Sequence, residues 1–343
     1  MERIVINTPE ATSTISVGEN WEKAGELIPE TGVVIITDEN VRDLYESGFP
    51  DFPVISVKPG ESSKTLSVIG YLSNELLRLG IDRSGFILAI GGGVVSDIAG
   101  FLAAIYMRGI RCGYVSSSLL SQVDASTGGK TGVDLAGLKN ILGVIRQPEF
   151  VICDPVMLQT LPEDEYLSGL AELIKTAIIG DAELFKMLEK HSDDILARDA
   201  GLLEILISRA VRFKANVVAE DETEKGLRRI LNFGHTFGHA IEAGLSLKHG
   251  FAVASGMVIS ASFSLERGFC SVDDTKRIND LLVKFGFTLN YDFSLEKMKN
   301  LVLHDKKKAG NDIYFIFNKG IGNATFQKIP VDTMIDFYKR FTS

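Results

Sequence analysis

Cysteine is scarce in this 343-residue chain. Its three, Cys112, Cys153 and Cys270, are widely scattered and odd in number, which excludes a disulfide framework and any paired-thiolate metal site. They read as reduced core residues. No run approaches the ~20 apolar residues of a membrane span, and the opening stretch MERIVINTPEATSTISVG has no apolar signal core. A cytoplasmic protein without membrane partners is expected. Positive charge is not in excess either: 45 acidic against 36 basic side chains leave a net charge of −9, which argues against a nucleic-acid binder with a clustered basic face. Internal repeats, low-complexity tracts and long linkers are absent. What is present, 45% hydrophobic residues over this length, suffices for two packed domains.

From Gly32 to about Asp154, short β-rich runs alternate with helical stretches. The runs are Val33 to Thr37, Val54 to Val57, Phe86 to Ile90, Cys112 to Val115 and Phe150 to Cys153. That rhythm predicts a parallel sheet with crossover helices, a Rossmann-like α/β domain over 1–154. After Asp154-Pro155 the pattern changes to long periodic helices, Glu163 to His191, Leu202 to Glu220, Ala252 to Arg267 and Asp273 to Phe285. A hairpin of Ile313 to Phe317 with Ala324 to Lys328 precedes a last helix from Val331. The segment 155–343 is therefore expected to be a mostly α-helical domain, with a ligand cleft between the halves.

The strand Phe86 to Ile90 runs directly into Gly91, Gly92 and Gly93 and then a helix near Val94. Such a turn lets backbone N–H groups approach a pyrophosphate at a helix N-terminus, although it lacks the GxGxxG spacing. Asp38 and Asn40 follow one strand, where a carboxylate can accept from a ribose, and Glu61 and Lys64 follow the next. The bland readings are a helix cap for Asp38 and a solvated Lys64. The segment Ser116 to Asp124, followed by Gly128-Gly129-Lys130-Thr131-Gly132 and then Lys139-Asn140, gathers hydroxyls, a carboxylate, glycines and cations that suit a polar ligand better than a core.

In the second half, Glu172 sits among apolar residues on a predicted helix, with Lys175 one turn later on the same face. A buried carboxylate needs a partner, and a cation supplies one. In NFGHTFGHA, His235 and His239 stand four apart, a spacing that brings both to one helix face. Without the glutamate of HExxH it leaves open which one is a ligand. His249 opens the next apolar helix. A Glu/His/His set of this kind suits Zn²⁺ or a neighbouring ion and leaves positions for substrate. Lys214, Glu224, Arg228 and the run His304 to Lys308 add the cations expected around a phosphate or carboxylate.

Together the motifs GGGVVSDIAG, YMRG, SLLSQVDASTGGKTGV, KNILG, GLAELIK, DETEKGLRRILNFGHTFGHAIE, KHG and HDKKKAG resemble the 3-dehydroquinate synthases, within the sugar phosphate cyclases, over essentially the full chain. The resemblance implies NAD and a divalent metal, Zn²⁺ or Co²⁺. It implies cyclisation of 3-deoxy-D-arabino-heptulosonate 7-phosphate with loss of phosphate, the leaving phosphate serving as base for its own elimination. By the same likeness Glu172, His235 and His249 hold the metal, and His239 moves to the substrate. Asp124, Lys130, Asn140, Lys175, Lys214, Glu224, Arg228, Asn232 and Lys306 or Lys307 match positions that line the substrate. Asp38, Asn40, Glu61, Lys64, Gly91, Gly92, Gly93, Asp97, Ser117, Ser118 and Lys139 match the cofactor side. Asp124 and Lys130 also border it. Arg108, in YMRG, matches an arginine that reaches the neighbouring subunit's site, which implies a homodimer.

Departures from the family pattern are Ser96 for a glycine, Ser117 and Ser118 for threonines, and Phe251 for a frequent glutamate. They imply tuned cofactor fit rather than lost activity. The rival readings are another sugar phosphate cyclase, which Asn232 and His239 disfavour, a metal-dependent polyol or glycerol phosphate dehydrogenase, which would need fewer basic anchors, and a non-catalytic nucleotide-binding protein.

Overall fold

The computed structural model describes residues 1–9, 11–306 and 312–342. By its contacts the chain divides into two units, Met1–Leu161 with Leu203–Thr223, and Pro162–Leu202 with Glu224–Ser343.

The first unit is built on β1 (Glu2–Asn7), β2 (Thr12–Val17), β3 (Val33–Asp38), β4 (Val54–Val57), β5 (Phe86–Gly91), β6 (Arg111–Ser116), β7 (Lys130–Leu135), β8 (Leu138–Ile145) and β9 (Phe150–Cys153). Seven of these form one sheet in the order β1-β2-β9-β6-β5-β3-β4, while β7 and β8 pair with each other in a separate ribbon, Asp134 of β7 adding one parallel bridge to Thr65. β1 is antiparallel to β2, and the other sheet neighbours are parallel. The five expected strands are β3, β4, β5, β6 and β9. The additions at the N-terminal edge are short, and β1 alternates exposed and buried side chains, as a strand solvated on one face does. In the centre the alternation vanishes: every residue of β5, Phe-Ile-Leu-Ala-Ile-Gly, is buried, the signature of a parallel strand covered on both faces. Burying each of Ile87, Leu88 and Ile90 contributes on the order of 1.5–3 kcal/mol.

Helices α1 (Glu39–Tyr45), α2 (Leu66–Arg78) and α3 (Gly93–Ile105) follow strands of this sheet. Asp38 caps α1 by accepting from the Val41 N–H at 3.0 Å, and Thr65 caps α2 through Val68 at 3.3 Å. The chain goes outward from β3 to β4, then returns to β5 on the other side of β3. The carboxyl ends of β3 and β5 thus form a topological switch point, where open α/β sheets bind ligands. Asp38 ends β3 and Gly91 ends β5.

The remaining helices are α4 (Glu163–Gly180), α5 (Ala182–Lys190), α6 (Ser192–Leu196), α7 (Ala200–Glu220), α8 (His235–Leu245), α9 (His249–Glu266), α10 (Val272–Lys284), α11 (Leu295–Lys306) and α12 (Val331–Phe341). α7 returns the chain to the first unit from Leu203 onward. The single helix expected over Glu163 to His191 is in fact two. Asp181 breaks it with extended φ/ψ, and its side chain caps α5 by accepting from the Leu184 N–H at 3.0 Å. The expected C-terminal hairpin is β10 (Asp312–Asn318) with β11 (Ala324–Pro330). Its Phe315 and Phe317 join Phe237, Phe263, Phe337 and Tyr338 in an aromatic core, where Phe263 stacks on Phe337 at 4.3 Å. The second unit is thus mostly helical. Among the described residues no helix is long and apolar enough to cross a membrane.

Candidate metal centre and nucleotide-binding loops

Three helices of the second unit approach to backbone contact, and glycines make this possible. A Cβ on Gly250 of α9 would lie 2.4 Å from the Ser168 backbone of α4, and the Gly250 N–H donates to Ser168 Oγ at 2.9 Å. A Cβ on Gly256 of α9 would lie 2.1 Å from the carbonyl oxygen of Gly234, the left-handed residue (φ 81°) that turns the chain into α8. Side chains one turn away are thereby brought together. Glu172 of α4, His235 of α8 and His249 of α9 each place one donor atom within 4.8 Å of the others. His249 Nε2 lies 3.2 Å and His235 Nε2 3.6 Å from Glu172 Oε1.

Glu172 is fully buried, and Lys175 Nζ lies 2.5 Å from its Oε2. Burial pushes this carboxyl up, but Lys175, His235 and His249 outweigh it and hold the group well below the usual carboxylate range. Burial pulls His235 down to about 3, against the attraction of Glu172. Burial pulls His249 down too, but hydrogen bonds to Glu172 and Glu242 win and raise it to about 10. One buried carboxylate and two imidazole nitrogens from three helices form a mixed N/O donor set that could hold a divalent metal ion. The residues fit the ion the sequence called for.

His239 follows on the next turn of α8, exposed, its ring 5.1 Å from that of His235 and 5.9 Å from that of His249. A second donor set, His239, Glu242 and His249, shares His249 with the first. Glu242 was not singled out in the sequence. Its signal was its place three residues after His239 and seven after His235, on one helix face. Nearby in the chain, Glu224 holds a left-handed backbone (φ 59°) and accepts a hydrogen bond from the Asn232 side-chain amide. Arg228, between them, is 2% exposed. Lys306 ends α11 with its side chain outside the described residues, and Lys307 lies outside them altogether.

In the first unit, Lys64 is not solvated. It is 3% exposed, with Nζ 2.7 Å from Asp97 Oδ2 and 3.4 Å from Glu61 Oε1. Burial raises Asp97 to about 6, Lys64 opposing, while the two acids outweigh burial and raise Lys64. Asp38 is half-buried and caps α1, and burial raises its pKa against the hydrogen bonds from the Val41 and Asn40 backbone. Asn40 is exposed on α1. The glycine turn packs on the hydroxyl segment: the Ser117 N–H donates to the Gly91 carbonyl at 2.9 Å, a Cβ on Gly92 would meet Ser118 Oγ at 3.2 Å, and one on Gly93 would meet Ala125 at 3.1 Å. Side chains here would close the space beside the α3 N-terminus. Asp124 lies in a π-helical turn, Ser121–Ala125, a local form common at functional sites.

The sequence places Lys214 among the cations expected around the metal residues. It packs in the first unit, because α7 returns there, and its Nζ donates to the Asp124 carbonyl at 2.6 Å and pairs with the Asp124 carboxylate. Lys130, Lys139 and Asn140 are exposed on the β7–β8 ribbon, with Asn140 left-handed (φ 51°) and its N–H donating to Asp134 at 2.7 Å. Arg108 is exposed and left-handed (φ 69°) after α3. Ser96 Oγ donates to the Gly93 carbonyl at 3.0 Å, and Phe251 packs edge-on against Phe287 at 5.6 Å. Both departures therefore have structural partners.

Residues 54–168 match the family model described as 3-dehydroquinate synthase N-terminal, and 169–308 match 3-dehydroquinate synthase C-terminal. A 3-dehydroquinate synthase of Dictyoglomus thermophilum is 44% identical over 295 residues, 84% of this chain and 83% of its own. One of Dictyoglomus turgidum is 39% identical over 338 residues, 94% of each chain. Among solved structures, the 2-epi-5-epi-valiolone synthase ValA of Streptomyces hygroscopicus, with NAD⁺ and Zn²⁺ bound, has a TM-score of 0.88 at 26% identity, covering 97% of this chain and 99% of its own. A probable glycerol dehydrogenase from Sinorhizobium meliloti reaches 0.60 at 16% identity over 96% and 95%, a likeness of fold alone.

Proposed function

Because the chain belongs to the 3-dehydroquinate synthase family, we propose how its residues divide that enzyme's work. The reaction converts 3-deoxy-D-arabino-heptulosonate 7-phosphate to 3-dehydroquinate and phosphate, through transient oxidation, elimination, re-reduction and aldol closure. NAD and Zn²⁺ or Co²⁺ are its cofactors.

Glu172, His235 and His249 hold the divalent ion, which when bound supplies a Lewis acid at the substrate's alcohol and ketone oxygens. Asp38, Asn40, Glu61, Lys64, Asp97, the Gly91–Gly93 turn, Ser117, Ser118 and Lys139 hold NAD⁺, which supplies a hydride acceptor that is restored within each turnover. Lys175 and the buried Arg228 offer charge-assisted hydrogen bonds to the substrate's carboxylate and phosphate, where a planar guanidinium grips two oxygens at once. Lys130, Lys214 and Lys306 or Lys307 add to this cationic lining. Asp124 orients Lys214, as their pairing suggests. Asn140, Asn232 and Glu224 meet substrate hydroxyls, and the strained backbones at Asn140 and Glu224 support that reading. His239, exposed beside the metal ligands, moves a proton at a ring oxygen.

The carrying observation is the convergence of Glu172, His235 and His249 from three helices. A homodimer in the cytoplasm completes the reading, with Arg108 reaching the neighbouring site. Its support is the exposed apolar pair Ile105 and Met107 just before Arg108. Purified protein given the heptulosonate phosphate, catalytic NAD⁺ and Zn²⁺ or Co²⁺ should release phosphate without net NADH. NADH formed in step with turnover would instead mark a dehydrogenase, and no phosphate release would sink the assignment. Another cyclase specificity is disfavoured by 44% identity to a dehydroquinate synthase against 26% to ValA.

A further inference from the structure

Glu242 has no part in the mechanism above, yet it is 8% exposed and its Oε2 lies 3.1 Å from His249 Nδ1. A carboxylate at that depth needs a partner to offset its lost hydration. An imidazole that offers one nitrogen's lone pair to a metal carries its proton on the other, and the group accepting that N–H sets the tautomer, the ring's orientation and its basicity. The two histidines of the metal centre meet this requirement differently. His235 directs Nδ1 at the Phe233 carbonyl oxygen, 3.1 Å away. His249 directs Nδ1 at Glu242, a full negative charge.

We infer that Glu242 is a positioning residue for the metal: it holds His249 as the Nδ1–H tautomer and presents Nε2 to the ion shared with Glu172 and His235. This rests on the metal assignment proposed above. The same contact admits another arrangement, in which His239, Glu242 and His249 themselves ligate a second ion. That arrangement removes the Nδ1 proton while Nε2 faces the first ion, so His249 becomes an imidazolate bridge between two cations. Orientation by hydrogen bonding needs no such deprotonation. It also explains why one face of α8 carries His235, His239 and Glu242 together: a ligand, a substrate residue and the support of a ligand on the next helix.

The test is metal binding by the full-length protein without substrate or NAD, with Zn²⁺ or Co²⁺ alone titrated against a chelator. Glu242→Gln keeps an acceptor oxygen and loses the charge, so affinity should fall about tenfold; Glu242→Ala loses both and should fall nearer a hundredfold. Each variant should still take a single ion, and the visible absorption of the Co²⁺ form should shift in Glu242→Gln as the field at His249 changes. If Glu242→Ala fails to fold by circular dichroism, the near-isosteric Gln variant decides. His235→Ala is run alongside. Were it to bind like the wild type, the metal assignment itself would fall. Loss of binding in His235→Ala with wild-type affinity in both Glu242 variants would overturn only the role of Glu242. A wild type that takes two ions and a Glu242→Ala that takes one would make Glu242 a ligand and overturn the inference as well.

Discussion

His249 and His235 sit in the same centre and titrate in opposite directions, and pH dependence follows from that contrast. With no ion bound, His235 is held near 3 and is neutral at pH 7, whereas His249 is held near 10 and is protonated. A divalent ion must therefore displace a proton from His249 alone. Affinity should rise about tenfold per pH unit from roughly pH 7 to 10 and level off above; chelator competition across that range checks it, and a flat profile would mean Nε2 is already free of its proton. Stability of the metal-free protein runs the other way. A folded pKa of about 10 lies above the imidazole's ordinary value of about 6.5, so the contribution is full below the lower value and lost as pH rises through the higher one. The melting temperature of metal-free protein should fall over that interval. Substitution separates the roles: His249→Ala should abolish metal retention, while His239→Ala should keep the ion and lose turnover, as metal analysis beside a phosphate-release assay would show. In the sequence the His235–His239 pair left the ligand open, because four-residue spacing aligns both rings equally well. Glu242 was harder still. A glutamate on a helix is ordinarily a solvated one, and only the packing of α9 against α8 turns this one inward.

Helices α4, α8 and α9 meet through glycine, so the metal centre's geometry depends on positions with no side chain at all. In Gly250→Ala the new methyl would sit 2.4 Å from the Ser168 backbone, which cannot rotate away, and α9 must shift against α4. Destabilisation of about 1–3 kcal/mol is expected, together with weaker metal binding, since His249 begins α9. Gly268→Ala provides the contrast. Its Cβ meets nothing within 4 Å, and only its φ of 75° is strained, so it should cost roughly 1–2 kcal/mol with metal affinity unchanged. If both variants lowered stability alike and neither touched affinity, the helix crossing would not control the centre. Elements of this kind were unevenly legible. The parallel strands stood out because covered strands are continuous apolar runs, as in Phe86 to Ile90. The β7–β8 ribbon did not, because Gly128 to Gly132 and Lys139-Asn140 have the composition of a ligand loop, and the two-residue turn Ala136-Gly137 that joins the strands lacks the Asn-Gly or Asp-Gly pair that marks such a hairpin. The break at Asp181 was missed because apolar periodicity continues on both sides of it, and only the cap shows that one helix has become two.

At the scale of the whole molecule the sequence offered charge, family likeness and one residue pointing outward. The net charge of −9 argues against a broad basic binding face, and two of the cations, Lys175 and Arg228, are buried. Arg108 is different: it is exposed, its backbone is left-handed, and it follows Ile105 at 44% and Met107 at 38% exposure. Exposed apolar side chains just before a strained arginine suit the symmetric contact proposed above, in which each subunit lends the same residue to the other. Mixed dimers make this testable without a structure of the assembly. Arg108→Ala and Lys175→Ala should each be inactive as homodimers. When the two are coexpressed with different tags and the doubly tagged species is purified, one of its two sites has an intact Lys175 together with the partner's Arg108. That species should regain about half of the wild-type activity. If Arg108 instead serves the site of its own chain, no site in the mixed dimer has both residues, and activity stays at the level of the single variants. A doubly tagged species that cannot be isolated, with the wild type running as a monomer on gel filtration, would remove the dimer itself.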